Sequence, residues 1–304
     1  AKVGRGVLSA ALKTIAQPSD DVVTGVGDDA AVLCQPNGDF QVISTDHLRG
    51  FIADPGLMTR IAAVHALGDV WAMGAQPQVG LASIVLPQMS ADLQRRTLLE
   101  ITKIATEVLN AAGAQLVGGH TTMGAELTIG FTVTGTKNSM PLTIAGAKHG
   151  DALILTRPIG SGVILAADML GQAEGHNVSA TLAIMGQPQD REAAVLSTVA
   201  HAMTDVTGFG LAGHVHAMCQ ASGLDAYLFQ DAIPTYPGAR ALSDAGVSST
   251  LMPENYTDAP VNGLHDALLY DPQTAGGLLA SVPKIQSAAV IEALRAGFFS
   301  VPTL

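Results

Sequence analysis

The chain has 304 residues, of which 48% are hydrophobic and 13% charged, and its formal net charge is -11. That length suggests two domains of about 150 residues each, and the composition can fill a large core from Ala, Val, Leu and Ile. The acidic balance argues against a nucleic-acid partner, because phosphate contacts need Lys and Arg; it fits a site that holds a divalent metal and brings a phosphorylated ligand in with it.

The only cysteines are Cys34 and Cys219, without metal-ligand spacing, the pattern of two ordinary thiols in a reducing compartment. No apolar run reaches the ~18 residues of a membrane span, and no signal peptide is visible. A cytoplasmic protein with no membrane partner is expected.

In chain order, Val7, Leu8, Ala11, Leu12 and Ile15 predict a helix over 6–16. Thr24-Gly25-Val26-Gly27-Asp28-Asp29-Ala30-Ala31-Val32 follows, two glycines and two adjacent carboxylates before an apolar run. It reads as a tight entry into a strand. Pro36-Asn37-Gly38-Asp39 is a hairpin signal. If Asn37 and Gly38 form a two-residue loop, Pro36 faces Asp39 and Asp29 stands opposite Asp46. Like charges across a ladder repel, and Mg²⁺ would offset them; two solvated acids at a sheet edge is the alternative. The stretch 57–74 predicts a helix that is apolar nearly all round, hence buried. Asp69 is the odd residue within it and reads as a ligand, since buried carboxylates are paired or metal-bound. His65, one turn earlier, reads as an intrahelical partner of that acid.

Val79–Leu86 predicts a buried strand, and 91–112 an amphipathic helix with Arg95, Arg96, Glu100, Lys103 and Glu107 outward. Gln115–Val117 is a short strand running into Gly118-Gly119-His120-Thr121-Thr122, where backbone N–H groups could cradle phosphate. Strand Leu127–Thr136 closes the first half, and an α+β or mixed sheet is favoured over a doubly wound one. Lys137–His149 reads as a linker between domains over 1–140 and 149–304. The second half opens with strand Ala152–Thr156. Arg157–Gly162 then resembles a phosphate cradle or a glycine packing device before a helix over 163–170. A polar loop is expected at Gly175–Ser179, with helices at 179–186 and 190–202. Asp205 and Thr207, in Thr204-Asp205-Val206-Thr207-Gly208-Phe209-Gly210-Leu211, stand before a helix that they could cap, or they could serve a metal. A strand at 224–229, a helix at 236–244, a loop through Glu254, Asp271-Pro272-Gln273-Thr274-Ala275-Gly276-Gly277-Leu278-Leu279 entering the last strand, and a helix over 284–296 complete the chain.

These motifs, taken in order with Val42-Ile43-Ser44-Thr45-Asp46, Arg60–Ala63 and Asp69–Gly74, resemble the selenophosphate synthetase (selenide, water dikinase) family almost throughout. The Asp-Val-Thr-Gly-Phe-Gly and Asp-Pro-Gln-Thr runs are the most specific. The Gly-Asp-Asp-Ala-Ala-Val run belongs to the wider aminoimidazole ribotide synthetase superfamily. The resemblance implies a two-domain α/β (α+β) protein of that type, a homodimer whose N-terminal domains pair into a β-barrel. It implies ATP-dependent synthesis of selenophosphate from selenide, giving AMP and phosphate, with Mg²⁺ and a monovalent cation as cofactors. By motif, Asp29, Asp69 and Asp205 would hold Mg²⁺. Val26, Gly27, Asp28, Asp46 and Asp69 would contact ATP from one subunit, the Asp46 match needing a one-residue gap, and Gly119, His120 and Thr121 from the other. Ala1-Lys2-Val3-Gly4 resembles the end of the family's glycine-rich segment, so Lys2 would be the functional lysine, in catalysis and ATP contact. The reactive Cys of that segment would fall just before Ala1, so transfer by this chain alone is expected to be weak. The rival readings are another ATP-dependent enzyme of the superfamily and a nucleotide-binding paralogue that has lost transfer.

Overall fold

The computed structural model describes residues 11–12, 20–259, 261–263 and 266–298. The helix expected over 6–16 and Lys2 lie outside the described residues, save 11–12, which are helical. The chain divides into two units: the first holds residues 20–141 with 185–190, and the second holds 142–184 and 191 onward.

The first unit is a six-stranded mixed sheet with two helices. Its strands are β1 (Val22–Thr24), β2 (Ala31–Cys34), β3 (Phe40–Arg49), β4 (Gln76–Pro87), β5 (Gln115–Gly124) and β6 (Thr128–Lys137). Their order is β1-β2-β3-β6-β4-β5. Only β4 and β5 run parallel, as the mixed-sheet expectation requires. Helix α1 (Pro55–Ala72) starts where the Asp54 side chain accepts the Leu57 N–H at 2.8 Å, with proline in its first turn. As expected from its apolar sequence, nearly every residue is buried, against β3, β6 and α2 (Ala91–Ala111). Helix α2 is amphipathic, with Ile101, Ala105, Val108 and Leu109 inward and the five predicted charges exposed. Along β4, Gly80, Ala82, Ile84 and Leu86 turn inward, and a side chain at Gly80 would strike Leu109 of α2.

The hairpin register differs from expectation. Cys34 pairs with Phe40 and Ala31 with Ile43, so the loop is three residues, Pro36-Asn37-Gly38. Gly38 takes φ +88°, and the Gln35 N–H donates to the Asp39 carbonyl at 2.8 Å, the geometry of a turn closed by a left-handed residue. The ladder stops at Ala31, so Asp29 does not face Asp46 across it. The Gly118-Gly119 pair does not open a loop either, because β5 continues to Gly124. A Cβ at Gly119 would lie 2.0 Å from the Ala82 carbonyl oxygen. Glycine is there because two backbones meet.

The second unit is built on a three-stranded antiparallel sheet, β7 (Asp151–Leu155), β8 (Ala202–Asp205) and β9 (Leu278–Pro283), in the order β7-β9-β8. Its helices are α3 (Ser161–Met169), α4 (Gly175–Met185), α5 (Asp190–Leu196), α6 (Gly210–Ser222), α7 (Ala239–Asp244), α8 (Met252–Asp258) and α9 (Ser287–Phe298), the last preceded by a 3₁₀ turn. Ile159, Val163, Leu211, Tyr236, Leu268 and Leu279 share one core. Asp151 ties the sheet: it accepts from Ser281 Oγ at 2.7 Å and the Lys148 N–H at 2.9 Å, and lies 2.8 Å from His201 Nδ1. Four expectations fail here. The polar stretch Gly175–Ser179 is the first turn of α4, its polarity matching an exposed face. The helix expected to 202 stops at Leu196, because Ala202 is already in the sheet. Leu224–Phe229 joins no ladder, and α8 occupies part of the loop expected through Glu254.

Candidate functional site

In the first unit, α1 carries Asp69 into the core at 7% exposure, and Asp29 follows the Gly27 turn, where φ is +119°. A carboxylate oxygen of each lies within 4.8 Å of the other. The Ser44 hydroxyl, on β3, donates to Asp69 Oδ2, which fixes that carboxylate. Asp28 turns back and accepts the Asp29 N–H at 3.0 Å. The donors gathered here are all oxygens, the set that hard cations such as Mg²⁺ prefer.

Asp46 lies on β3 opposite Phe131, with His65 Nε2 3.5 Å from its Oδ2. His65, expected as an intrahelical partner of Asp69, thus has Asp46 within reach of its ring. Val26 is 58% exposed, and a side chain at Gly27 would meet nothing within 4 Å, so this turn is open to a ligand. Gly119, His120 and Thr121 lie exposed along β5, beside Ala82, Ser83 and Ile84.

In the second unit, Asp205 ends β8, buried at 3% exposure and opposite Leu278. The cap of α6 is Phe209, with no side-chain bond, so neither Asp205 nor Thr207 caps that helix. His214 of α6 instead accepts the Thr207 N–H at Nε2, 3.1 Å away.

The Arg157–Gly162 loop is not a free phosphate cradle. Gln273 Oε1 accepts from the Gly160 and Ser161 N–H groups at 3.0 and 3.1 Å and from Ser161 Oγ at 3.0 Å. Asp271 Oδ2 accepts the Gly162 N–H at 2.9 Å. The Asp-Pro-Gln-Thr run thus supplies the hydrogen-bond acceptors that this helix entry would otherwise seek from a ligand. Burial pushes the Asp271 carboxyl up to about 7, against the pull of these N–H donors. Arg157 is also buried, which lowers its guanidinium to about 10, and it donates to the Ala275 carbonyl at 2.6 Å. The sequence pattern assigns no role to Asp271, Gln273, His214 or Ser44. The only signal was polarity within runs that are otherwise apolar or glycine-rich.

Residues 27–136 match the family model of the AIR synthase related protein N-terminal domain, and residues 148–300 that of the C-terminal domain. The solved structure of AaThiL complexed with AMPPCP and TMP superposes with a TM-score of 0.70 at 18% identity, over 93% of this chain and 86% of that one. Fold and site therefore define a two-domain protein of the AIR synthase class. Within that class, the chain is 34% identical to the selenide, water dikinase of Bdellovibrio bacteriovorus, over 99% of this chain and 89% of the relative. It is 38% identical to that of Desulfitobacterium hafniense, over 97% and 88%. The chain belongs to the selenide, water dikinase family.

Proposed function

We propose that this chain makes selenophosphate from selenide and ATP, releasing AMP and phosphate. The observation that carries the reading is the Asp29–Asp69 pair, two carboxylates within 4.8 Å of each other, in a chain of the dikinase family. Asp29 and Asp69 hold Mg²⁺, with Asp205 as third ligand and a monovalent cation nearby. The bound Mg²⁺ supplies Lewis-acid charge neutralisation to the phosphates in phosphoryl transfer. The chain's own residues position: Ser44 holds Asp69, and His65 faces Asp46 where that residue meets ATP. Val26, Gly27, Asp28 and Asp46 contact ATP from one subunit, and Gly119, His120 and Thr121 from the other. Lys2 is the catalytic lysine and also touches ATP.

Residues 1–140 form the domain for ATP, metal and dimerisation, and 149–304 the C-terminal α/β domain. The homodimer is supported by the sheet face turned away from α1 and α2, where Leu81 is 45% exposed beside Thr132 of β6; paired first units would cover it as a β-barrel. No helix among the described residues is long and apolar enough to cross a membrane, in keeping with a cytoplasmic enzyme. Identity above 30% to dikinases along the whole chain favours this reading over a thiamine monophosphate kinase-like activity, for which the likeness is one of fold.

The test is AMP release from ATP with and without selenide, in the wild type and in Asp69→Asn. Selenide-dependent AMP release that needs Mg²⁺ and vanishes in the variant, with its circular dichroism unchanged, is expected. ATP turnover indifferent to selenide, or undiminished in Asp69→Asn, would overturn the proposal.

A further inference from the structure

Thr204-Asp205-Val206-Thr207 leaves β8 and reaches α6 within a few residues. His214, on the second turn of α6, is buried at 9% exposure and touches this stretch twice. Its Nε2 lies 3.1 Å from the Thr207 backbone nitrogen. A backbone N–H can only donate, so Nε2 accepts, and the neutral ring carries its proton on Nδ1. Nδ1 lies 3.3 Å from Thr204 Oγ1, to which it donates. Thr204 Oγ1 in turn donates to the Asp205 carbonyl at 3.2 Å. One imidazole therefore grips the residue before Asp205 and the second residue after it.

On the other side, backbone groups hold the stretch. The Val206 N–H donates to the Gly277 carbonyl at 2.8 Å, and the Gln273 N–H donates to the Thr207 carbonyl at 2.9 Å. A Cβ at Gly276 would lie 1.9 Å from the Val206 carbonyl oxygen, so the two backbones meet there with no room for a side chain. The segment leading into β9 fixes one side and His214 the other. A purely apolar side chain could fill the ring's volume, but it would leave the buried Thr207 N–H without this acceptor.

We propose that His214 is a positioning residue for Asp205: through Thr204 and Thr207 it aims the Asp205 carboxylate for metal binding. This rests on the reading of Asp205 as a metal ligand. Groups that orient a ligand affect metal affinity about 10–100-fold when removed. They should leave metal-free nucleotide affinity near its original value.

The experiment is direct binding of Mn²⁺ to the full chain, followed by electron paramagnetic resonance, with metal-free ATP affinity measured alongside. Asp205→Asn and His214→Leu should each weaken Mn²⁺ by about 10–100-fold. His214→Gln, whose amide oxygen can accept the Thr207 N–H, should recover most of that loss. Unchanged Mn²⁺ affinity in Asp205→Asn would remove Asp205 from the metal site, and this proposal with it. Weakened binding in Asp205→Asn but wild-type binding in His214→Leu would overturn the positioning role alone. So would His214→Gln binding as weakly as His214→Leu, since the ring would then matter only by shape. Should His214→Leu fail to fold, His214→Gln and His214→Asn decide: wild-type Mn²⁺ affinity in both overturns the proposal.

Discussion

Asp271 allows a test of how the second unit is held together. Its carboxyl is 2% exposed, and burial pushes it from an ordinary 3.8 up to about 7. The folded chain thus keeps a proton that the unfolded chain gives up near pH 3.8. A raised carboxyl contributes fully below 3.8, and that contribution is lost as the pH climbs through about 7. A proton bound some three decades more tightly is worth about 4 kcal/mol, of which roughly 3 kcal/mol should disappear between pH 5 and pH 8. Asp271→Asn cannot titrate, yet its amide oxygen can still accept the Gly162 N–H. Urea unfolding of the wild type and of Asp271→Asn at both pH values isolates the effect. The wild type should lose about 3 kcal/mol more than the variant over that interval. Equal losses would refute the reasoning and mean that the carboxylate is charged in the fold throughout.

Asp151 should behave oppositely: burial pushes its carboxyl up, but Ser281, His201 and the Lys148 N–H together outweigh that and hold it below 3.8. Its contribution is present above 3.8 and lost as the pH falls below that value, so Asp151→Asn should flatten the acid limb of a thermal melting profile, and an unchanged limb would count against the assignment. Gly119→Ala forces a methyl group to within 2.0 Å of the Ala82 carbonyl oxygen. It should destabilise the first unit by about 1–3 kcal/mol or more, read as a drop in melting temperature; a melting temperature equal to the wild type's would mean that β5 lies farther from β4.

Much of the fold was legible because it rests on local pattern. The unbroken apolar run of α1 made it a buried helix and made Asp69 conspicuous. The one-sided charges of α2 and the turn residues around Asn37 were equally plain. What could not be read depends on partners distant in sequence. Whether the hairpin loop holds two residues or three turns on the left-handed Gly38, and one residue of slip separates Asp29 from Asp46. Gly118-Gly119 looked like a loop because glycine is ambiguous between freedom and closeness, and only the approach of Ala82 decides it. Gln273 reaches a helix entry 112 residues earlier, so a stretch that looked like a phosphate cradle is filled by the chain itself. Site residues showed as motifs, whereas the residues that steady them, Ser44 and His214, had no pattern of their own.

The strand order β1-β2-β3-β6-β4-β5 also sets when this protein can come into being. β3 and β4 follow one another along the chain, yet they are not neighbours; β6 is threaded between them, ten residues long and the last strand of its sheet to be synthesised. Until residue 137 has left the ribosome, the hairpin beside Asp29 and the ribbon bearing Gly119 are two half-sheets with raw edges. Such long-range closure is slow and exposes unpaired strands while it waits. A nascent chain halted before β6 would hold both halves of the sheet and no hydrogen-bonded ladder to join them, the state in which help from a chaperone would matter most.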